Sequence, residues 1–137
     1  MTVGCTQSAS NPVVIDIGPI YVPADTGAAT VDGISYEYIA TADREAQILA
    51  GFQKLKVGQS REEVRDVMGP PDMAFLGRAK GPDPDVRFWV FVYKIKQMES
   101  EPMNVYNDTF IRILFDTDGK LNVATPYQIA GLKSIKR

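Results

Sequence analysis

The side chains available for chemistry in this chain are carboxylates, lysines and tyrosines, because its 137 residues include no histidine and one cysteine, Cys5. Without histidine the chain lacks the usual general base near neutral pH, the commonest metal ligand, and any Ser-His or Cys-His nucleophile pair. A single cysteine excludes an intramolecular disulfide and a zinc site built from cysteines. We therefore expect no cofactor and no metal centre of these kinds.

Two acidic sequences have a spacing that invites a chemical interpretation. Asp83 and Asp85, in GPDPD, offer two carboxylates for acid–base work or a divalent cation, although a solvated turn is the reading we favour. The DTDG sequence at 116–119 has its glycine at the fourth position and Tyr127 at the twelfth, where a calcium loop needs glycine sixth and glutamate twelfth. We predict a hairpin with a bulge there, in which Gly119 takes a positive φ.

Cys5 is a candidate for lipid attachment. It follows a small residue, Gly4, as in bacterial lipoproteins, which are cut just before a cysteine that then carries the lipid. The polar TQSASNP that follows is typical of a flexible tether, which we place at residues 1–12. No basic or apolar signal region precedes Cys5 in this sequence, so an incidental cysteine in a polar leader is the alternative.

Composition indicates one folded domain. Apolar residues make up 45% and charged residues 23%, and the length suits a single hydrophobic core. Fifteen basic and seventeen acidic residues give a net charge of −2, so bulk charge does not favour a nucleic-acid partner. The glycine motifs of nucleotide binding and of serine hydrolases are absent, and no apolar run approaches the roughly 18 residues of a membrane helix.

The first helix is predicted over 41–56, after an N-cap at Thr41. Acidic residues fall in its first turn, and Lys54 and Lys56 in its last, as the helix dipole favours. Gly51 inside this helix is expected to mark the close approach of another element. The expected apolar stripe comprises Ala42, Ala46, Leu49 and Phe52, widened by Ile48 and Leu55.

The second helix is short and marked at both ends, in KVGQSREEVRDVMGPPD (56–72). Gly58 is expected to end the first helix, Ser60 and Glu63 form a capping box, and Gly69 ends the second helix before two prolines. A helix of two turns is unstable alone because nucleation is costly. We expect it to persist only if its apolar face is packed against a sheet; that face is Val64, Val67 and Met68.

The sheet is predicted from three strands at 86–96, 109–116 and 121–127. Residues 13–40 are interpreted as an extended arm or edge strand at 13–22 followed by a loop, 73–85 as a loop, and 131–137 as a fraying tail. Both faces of 86–96 are apolar, which is unusual for an antiparallel sheet covered on one side. We therefore predict partner contacts on the face without Trp89, with burial by the arm or by the core as the alternative. The residues of that face are Val86, Phe88, Val90 and Val92.

This order of elements resembles the SmpA/OmlA domain of small outer-membrane lipoproteins of the barrel-assembly machinery, which is similar to the β-lactamase-inhibitor-like fold. The resemblance covers about residues 41–125 and consists of short structural motifs. It implies an α+β domain over 41–130 in which a two-helix hairpin packs on one face of a three- to four-stranded antiparallel sheet. The matching positions are Gly58, Gln59, Ser60, Val64, Gly69, Pro71, Trp89, Phe91, Phe115, Asp116 and Gly119.

The resemblance implies a non-enzymatic envelope lipoprotein, anchored by Cys5 at the periplasmic face of the outer membrane. Such a protein would bind an envelope protein as a scaffold or stabiliser of an assembly or secretion complex, with no nucleic acid and no small-molecule substrate. Two alternatives remain open from the sequence. One is a soluble secreted inhibitor-like interaction module, and the other is a small enzyme that works through Asp83 and Asp85 or tyrosines.

Overall fold

The computed structural model describes residues 29–78, 82, 87–98 and 103–136. Within them, two helices accompany a mostly antiparallel sheet, which confirms the α+β class; the sheet has six strands rather than the three or four predicted. The elements in chain order are β1 (Ala29–Val31), β2 (Ile34–Tyr36), β3 (Tyr38–Ile39), α1 (Ala42–Phe52), α2 (Arg61–Met68), β4 (Met73–Arg78), β5 (Arg87–Gln97), β6 (Thr109–Phe115), β7 (Leu121–Tyr127) and β8 (Ile135–Lys136).

The long strand β5 organises the main sheet, whose order is β3-β5-β6-β7-β8. On the side away from β6, β5 pairs with β3 near its end and with β4 along residues 87–92. The separate β1–β2 hairpin turns at Asp32 and Gly33, which both have positive φ (51° and 80°) as a two-residue type I′ turn requires.

Three segments differ from the sequence-based expectation. The predicted loop at 73–85 contains β4, and the loop predicted after residue 22 contains the β1–β2 hairpin. The tail at 131–137, expected to fray, contributes β8, which pairs with β7. The sheet therefore extends past both ends of the 41–130 range. The tether at 1–12 and the arm at 13–22 lie outside the described residues.

Helix α1 begins where it was predicted to begin, but it ends before the predicted residue 56. The Thr41 hydroxyl accepts the backbone N–H of Arg44 at 3.1 Å, which caps the helix. The helix stops at Phe52, so Lys54 and Lys56 lie beyond its last turn and Gly58 does not end it. The predicted stripe is also rotated, because Ala42 and Ala46 are exposed. The buried face is Arg44, Ile48, Gly51 and Phe52.

Helix α2 follows the prediction closely. The Ser60 hydroxyl accepts the Glu63 N–H at 3.1 Å, and the Glu63 carboxylate accepts the Ser60 N–H at 2.8 Å, which completes the capping box. Gly69 ends the helix with φ of 84°. Val64 and Met68 are fully buried and Val67 is half-buried, so the predicted apolar face packs on the core.

The main core lies between the two helices and one face of the sheet. Ile48 and Phe52 of α1 and Val64 and Met68 of α2 share one buried cluster with the strand residues. Trp89 lies in β5 and packs half-buried against this cluster. The strand residues of the cluster are Ala74, Phe91, Tyr93, Ile95, Ile111, Ile113, Phe115, Leu121 and Ala124.

Gly51 marks the contact between the helices, as predicted. A Cβ built on Gly51 would lie 2.8 Å from Met68 Cγ and closer still to the Val67 carbonyl oxygen. Alanine would raise helix propensity by about 1 kcal/mol, but overpacking of this kind costs about 1–3 kcal/mol. The nearest atom is a backbone oxygen, which cannot move aside, so the overpacking cost falls at the upper end of this range. We expect Gly51→Ala to lower the free energy of unfolding by about 1–2 kcal/mol, measured by urea denaturation.

Ala46→Gly, at an exposed position of the same helix, is the control and isolates helix propensity, with an expected loss of about 1 kcal/mol. A Gly51→Ala variant as stable as the wild type, or more stable, would contradict the close helix contact.

Candidate interaction surface

The two faces of β5 carry different packing. Trp89, Phe91 and Tyr93 point to the helices, and we call this side of the sheet the inner face. Phe88, Val90 and Val92 point to the opposite side, the outer face, where a second buried cluster lies. The alternation predicted for this strand is confirmed, and so is the apolar character of both faces.

The second cluster buries one end of the outer face. Its centre is Val90, Val92 and Phe110, which are at most 4% exposed. Asp108 helps to fix the segment before β6, because its carboxylate accepts the N–H groups of Met98 and Asn104, both at 2.8 Å. The partly buried residues around the cluster are Met73, Phe88, Met103, Val105, Leu114 and Tyr127.

This packing corrects half of the predicted partner-contact set. Val90 and Val92 are 3% and 4% exposed, so they are core residues of the outer cluster and present no surface to a partner. Phe88 is half-buried at the rim of that cluster and stays accessible. Val86 lies outside the described residues.

The other end of the outer face presents apolar side chains, which we call the outer patch: Phe75, Phe88, Leu114 and Val123. Three of them lie in one row across the sheet, since Phe75 and Leu114 both pair with Val90 and Leu114 pairs with Val123. Phe75 is 41% exposed and the others are half-buried. A cavity of about 280 Å³ opens beside the patch, lined by Phe88, Leu114, Phe115, Asp116, Thr117 and Asn122.

Gly77 determines where the Phe88 ring lies. The two residues are cross-strand partners, and a Cβ built on Gly77 would lie 2.8 Å from the Phe88 ring. The ring therefore lies over the glycine backbone, a common aromatic–glycine arrangement in sheets. This contact keeps Phe88 flat on the outer face next to Phe75.

A buried ion pair joins the helices to the start of β4. The Arg44 guanidinium lies 3.3 Å from the Asp72 carboxylate, and these side chains are 1% and 3% exposed. Arg44 also donates to the Pro70 carbonyl at 2.6 Å, and the Lys94 N–H donates to Asp72 at 2.7 Å. Burial raises the pKa of the Asp72 carboxyl, against the opposing effects of the Lys94 N–H and the Arg44 charge.

Tyr93 belongs to the same junction. Its hydroxyl donates to the Gly69 carbonyl at 2.7 Å, and its ring lies 5.5 Å from the Arg44 guanidinium carbon. Burial raises the pKa of the Tyr93 hydroxyl, so it remains protonated and keeps this bond. We interpret the junction as structural, because each polar group named here is engaged in holding the end of α2 against β5.

The candidate acidic sites give no catalytic geometry among the described residues. Asp116 is a turn residue, because its carboxylate accepts the N–H groups of Asp118 and Lys120, both at 2.9 Å. Gly119 has φ of 81°, and β6 and β7 shift register near Leu114, so the predicted hairpin with a bulge is confirmed. Asp83, Asp85 and Cys5 lie outside the described part of the chain, in which no group of three or more metal-binding side chains occurs.

Sequence reasoning missed Phe75 and Leu114. Phe75 fell in a predicted loop, although Met73, Phe75 and Leu76 between PPD and GRAKG are compatible with a short strand. Leu114 lies two residues after Arg112 in β6, so period-two alternation places the two side chains on the same face.

Comparisons with protein-family models, with curated proteins and with solved structures find no match for this chain. No helix in the described residues is long and apolar enough to cross a membrane.

Removing Arg44 should destabilise the fold in a pH-dependent way. Arg44→Met leaves the buried Asp72 carboxylate without its cation, and breaking a buried pair costs about 3 kcal/mol. The folded-state pKa of Asp72 lies above its unfolded value, so ionising Asp72 in the fold reduces stability as pH rises through the folded-state pKa. Without Arg44 that pKa rises further, and we expect a larger loss at pH 7 than at pH 5 in urea denaturation.

The double variant Arg44→Met/Asp72→Asn tests the coupling, because it removes both charges. It should lose less stability than the sum of the two single variants, and the extra pH dependence should disappear. Additive losses with no pH dependence would contradict the ion pair.

Proposed function

We propose that this chain is a non-enzymatic protein-binding module of the bacterial envelope, which acts as a scaffold or stabiliser of an outer-membrane assembly or secretion complex. The observation that carries the binding role is the outer patch, an apolar row on a sheet face that is buried at one end and accessible at the other. The envelope setting is supported by the resemblance of residues 41–125 to the SmpA/OmlA domain and by Cys5.

The patch supports binding because accessible apolar surface is costly to keep in water. Burying such surface is worth about 25 cal/mol per Å², and clustered exposed apolar residues commonly mark interaction sites. Phe75 and Phe88 are aromatic, and aromatic residues, phenylalanine included, are enriched in the cores of protein interfaces. The adjacent cavity gives a partner side chain a place to insert.

The proposed lipid at Cys5 would hold the domain at the periplasmic face of the outer membrane. Tethering converts a weak contact into one that acts at high local concentration, so a small patch is sufficient. The same patch would also serve a secreted module that has no lipid anchor. Whether Cys5 carries a lipid distinguishes the anchored protein from the secreted one.

The outer patch is tested by charge substitution. We expect Phe88→Glu or Phe75→Glu to reduce, by at least tenfold, the amount of envelope protein that copurifies with the chain after crosslinking in cells. This loss is expected because the new glutamate would be buried in the contact without a compensating positive charge.

Ile34→Glu is the matched control, because Ile34 is 45% exposed on the separate β1–β2 hairpin. Circular dichroism and thermal melting check that all three variants fold. Unchanged copurification in folded Phe88→Glu and Phe75→Glu variants would reject the patch.

Anchoring is tested at Cys5. When the chain is expressed behind a lipoprotein signal, we expect the mature N-terminus to be a lipidated Cys5, detected as a mass increase, and the protein to sediment with outer membranes. Cys5→Ser should release it to the periplasmic fraction. A soluble, unlipidated wild type would leave the secreted module as the better version.

A further inference from the structure

The most exposed residue of the outer patch lies on the sheet edge where the N-terminal chain enters. β3 and β4 both pair with β5 on the side away from β6, β3 at Lys96 and Gln97 and β4 along residues 87–92. Phe75 of β4 is 41% exposed. The hairpin of β1 and β2 comes directly before β3, so the chain that precedes β1 starts from this same edge.

The start of β1 is held close to the end of β5. Ala29 pairs with Tyr36 in the hairpin. Two residues further on, Tyr38 pairs with Gln97, and the Lys96 ammonium lies 5.6 Å from the centre of the Tyr36 ring. Paired residues are about 5 Å apart and alternate residues of a strand about 7 Å, so Ala29 lies within about 17 Å of Gln97.

The chain before Ala29 is long enough to reach the outer patch. Val90, which pairs with two residues of the patch, is seven residues from Gln97, or about 23 Å along β5. The path from Ala29 to the level of the patch is therefore at most about 40 Å. Ile17 precedes Ala29 by twelve residues, which extend to about 40 Å, so the residues around Ile17 reach the patch.

Residues 13–22 match the outer patch in chemistry. The segment VVIDIGPIYV has seven valine, isoleucine or tyrosine residues in ten and one charged residue, Asp16. By contrast, PADTGA at 23–28 has no residue of these apolar types and is typical of a connection. Burying apolar surface is worth about 25 cal/mol per Å². The segment and the patch therefore both gain if one covers the other.

Pro19 favours contact with a sheet face over pairing at a sheet edge. Proline has no N–H to donate, so it is tolerated in an edge strand only where that position faces solvent. Contact with a face uses side chains, so the missing N–H costs nothing there. The segment is therefore suited to lie across the outer face, with its isoleucines against Phe88 and Leu114.

The charge on the outer face agrees with this occupant. Arg112 lies two residues before Leu114 on that face, and its guanidinium contacts the hydroxyl and the ring of Tyr127. Among the described residues it has no carboxylate partner. Asp116 is on the other side of Leu114, where it accepts N–H groups of its turn. Asp16 can therefore meet Arg112 while the neighbouring isoleucines cover Leu114.

We propose that residues 13–22 of this chain cover the outer patch until a partner protein displaces them. This inference rests on the proposed protein-binding function and adds the regulation of the same site. A short connection within one chain gives an effective concentration of about 1 mM. A partner therefore binds the patch only when it contacts the patch better than the chain's own segment does.

The contact is tested by photocrosslinking in the full chain. The photoreactive residue p-benzoylphenylalanine replaces Phe75, and the purified protein is irradiated at low concentration. We expect position 75 to become joined to residues 13–22 of the same molecule, as read by mass spectrometry of the digested monomer. Val57, which is 37% exposed in the loop between the two helices, is the control position and should give no such product.

A double substitution links this contact to partner binding. Ile15→Glu/Ile17→Glu should reduce the cross-link from position 75 at least fivefold, because burying two carboxylates against an apolar patch is costly. The same variant should raise the amount of copurifying envelope protein at least threefold, because the competing segment is weakened. Ser8→Glu/Ser10→Glu is the matched control, since it adds the same charge at the same spacing outside the segment, and it should change neither result.

Several results would overturn the proposal. These are no cross-link from position 75 to residues 13–22, equal cross-linking from positions 75 and 57, or a cross-link that is unchanged by Ile15→Glu/Ile17→Glu. A product that joins two molecules, with a yield that rises with protein concentration, would assign the patch to a second copy.

Phe88→Glu separates this inference from the proposed function. If the cross-link is absent while Phe88→Glu still abolishes copurification, the cover by residues 13–22 is wrong and the partner site stands. If the cross-link forms while copurification ignores both Phe88→Glu and Ile15→Glu/Ile17→Glu, the partner site is wrong. The segment is then a permanent part of the fold and its displacement is rejected.

Discussion

The structure depends on how an eight-residue helix is held at both ends. Such a helix is not stable by itself, because the free-energy cost of nucleation exceeds what the hydrogen bonds of two turns contribute. Before α2, the Gly58 N–H donates to the Leu121 carbonyl at 2.9 Å and the Leu121 N–H donates to the Gln59 carbonyl at 2.7 Å. After α2, the carbonyls of Gly69 and Pro70 accept from Tyr93 and Arg44. The helix is thus fixed between the β6–β7 hairpin and β5.

The same attachment positions the candidate interaction surface. Gly69 and the two prolines end α2, and Asp72 then binds the Lys94 N–H, while its own N–H donates to the Val92 carbonyl at 2.9 Å. These bonds place the chain beside β5 just before Met73, so they set the register of β4. Because α2 is fixed above the same strands, its Arg61 lies 4.6 Å from the centre of the Trp89 ring and its Arg65 lies 5.6 Å from the centre of the Phe91 ring. The positions of β4 and of these arginines follow from one junction.

Features with a local signal could be predicted from the sequence, and features set by distant contacts could not. The capping box, the Gly69 stop, the Gly119 turn and the two faces of β5 depend on residues within a few positions of one another. By contrast, β3 and β8 have two residues each, and β4 lacks clear polar–apolar alternation. These three strands form because they pair with a longer strand: β3 and β4 with β5, and β8 with β7. Arg44 was missed for a related reason, since its buried environment requires Asp72, 28 residues away.

The net charge of the chain does not describe the charges at any one site on its surface. The net charge of −2 gave no reason to expect an acidic partner, because the acidic and basic residues nearly cancel over the whole chain. Attraction between charges in solution fades over about 8–10 Å at physiological salt, so a group at the surface responds chiefly to the charges within one or two residues of it. Beside β4 the fold gathers charges of both signs from distant positions, since Arg61 and Arg87 line one groove with Asp116 and Asp118. The local charge pattern is therefore a property of the tertiary structure, and composition does not contain it.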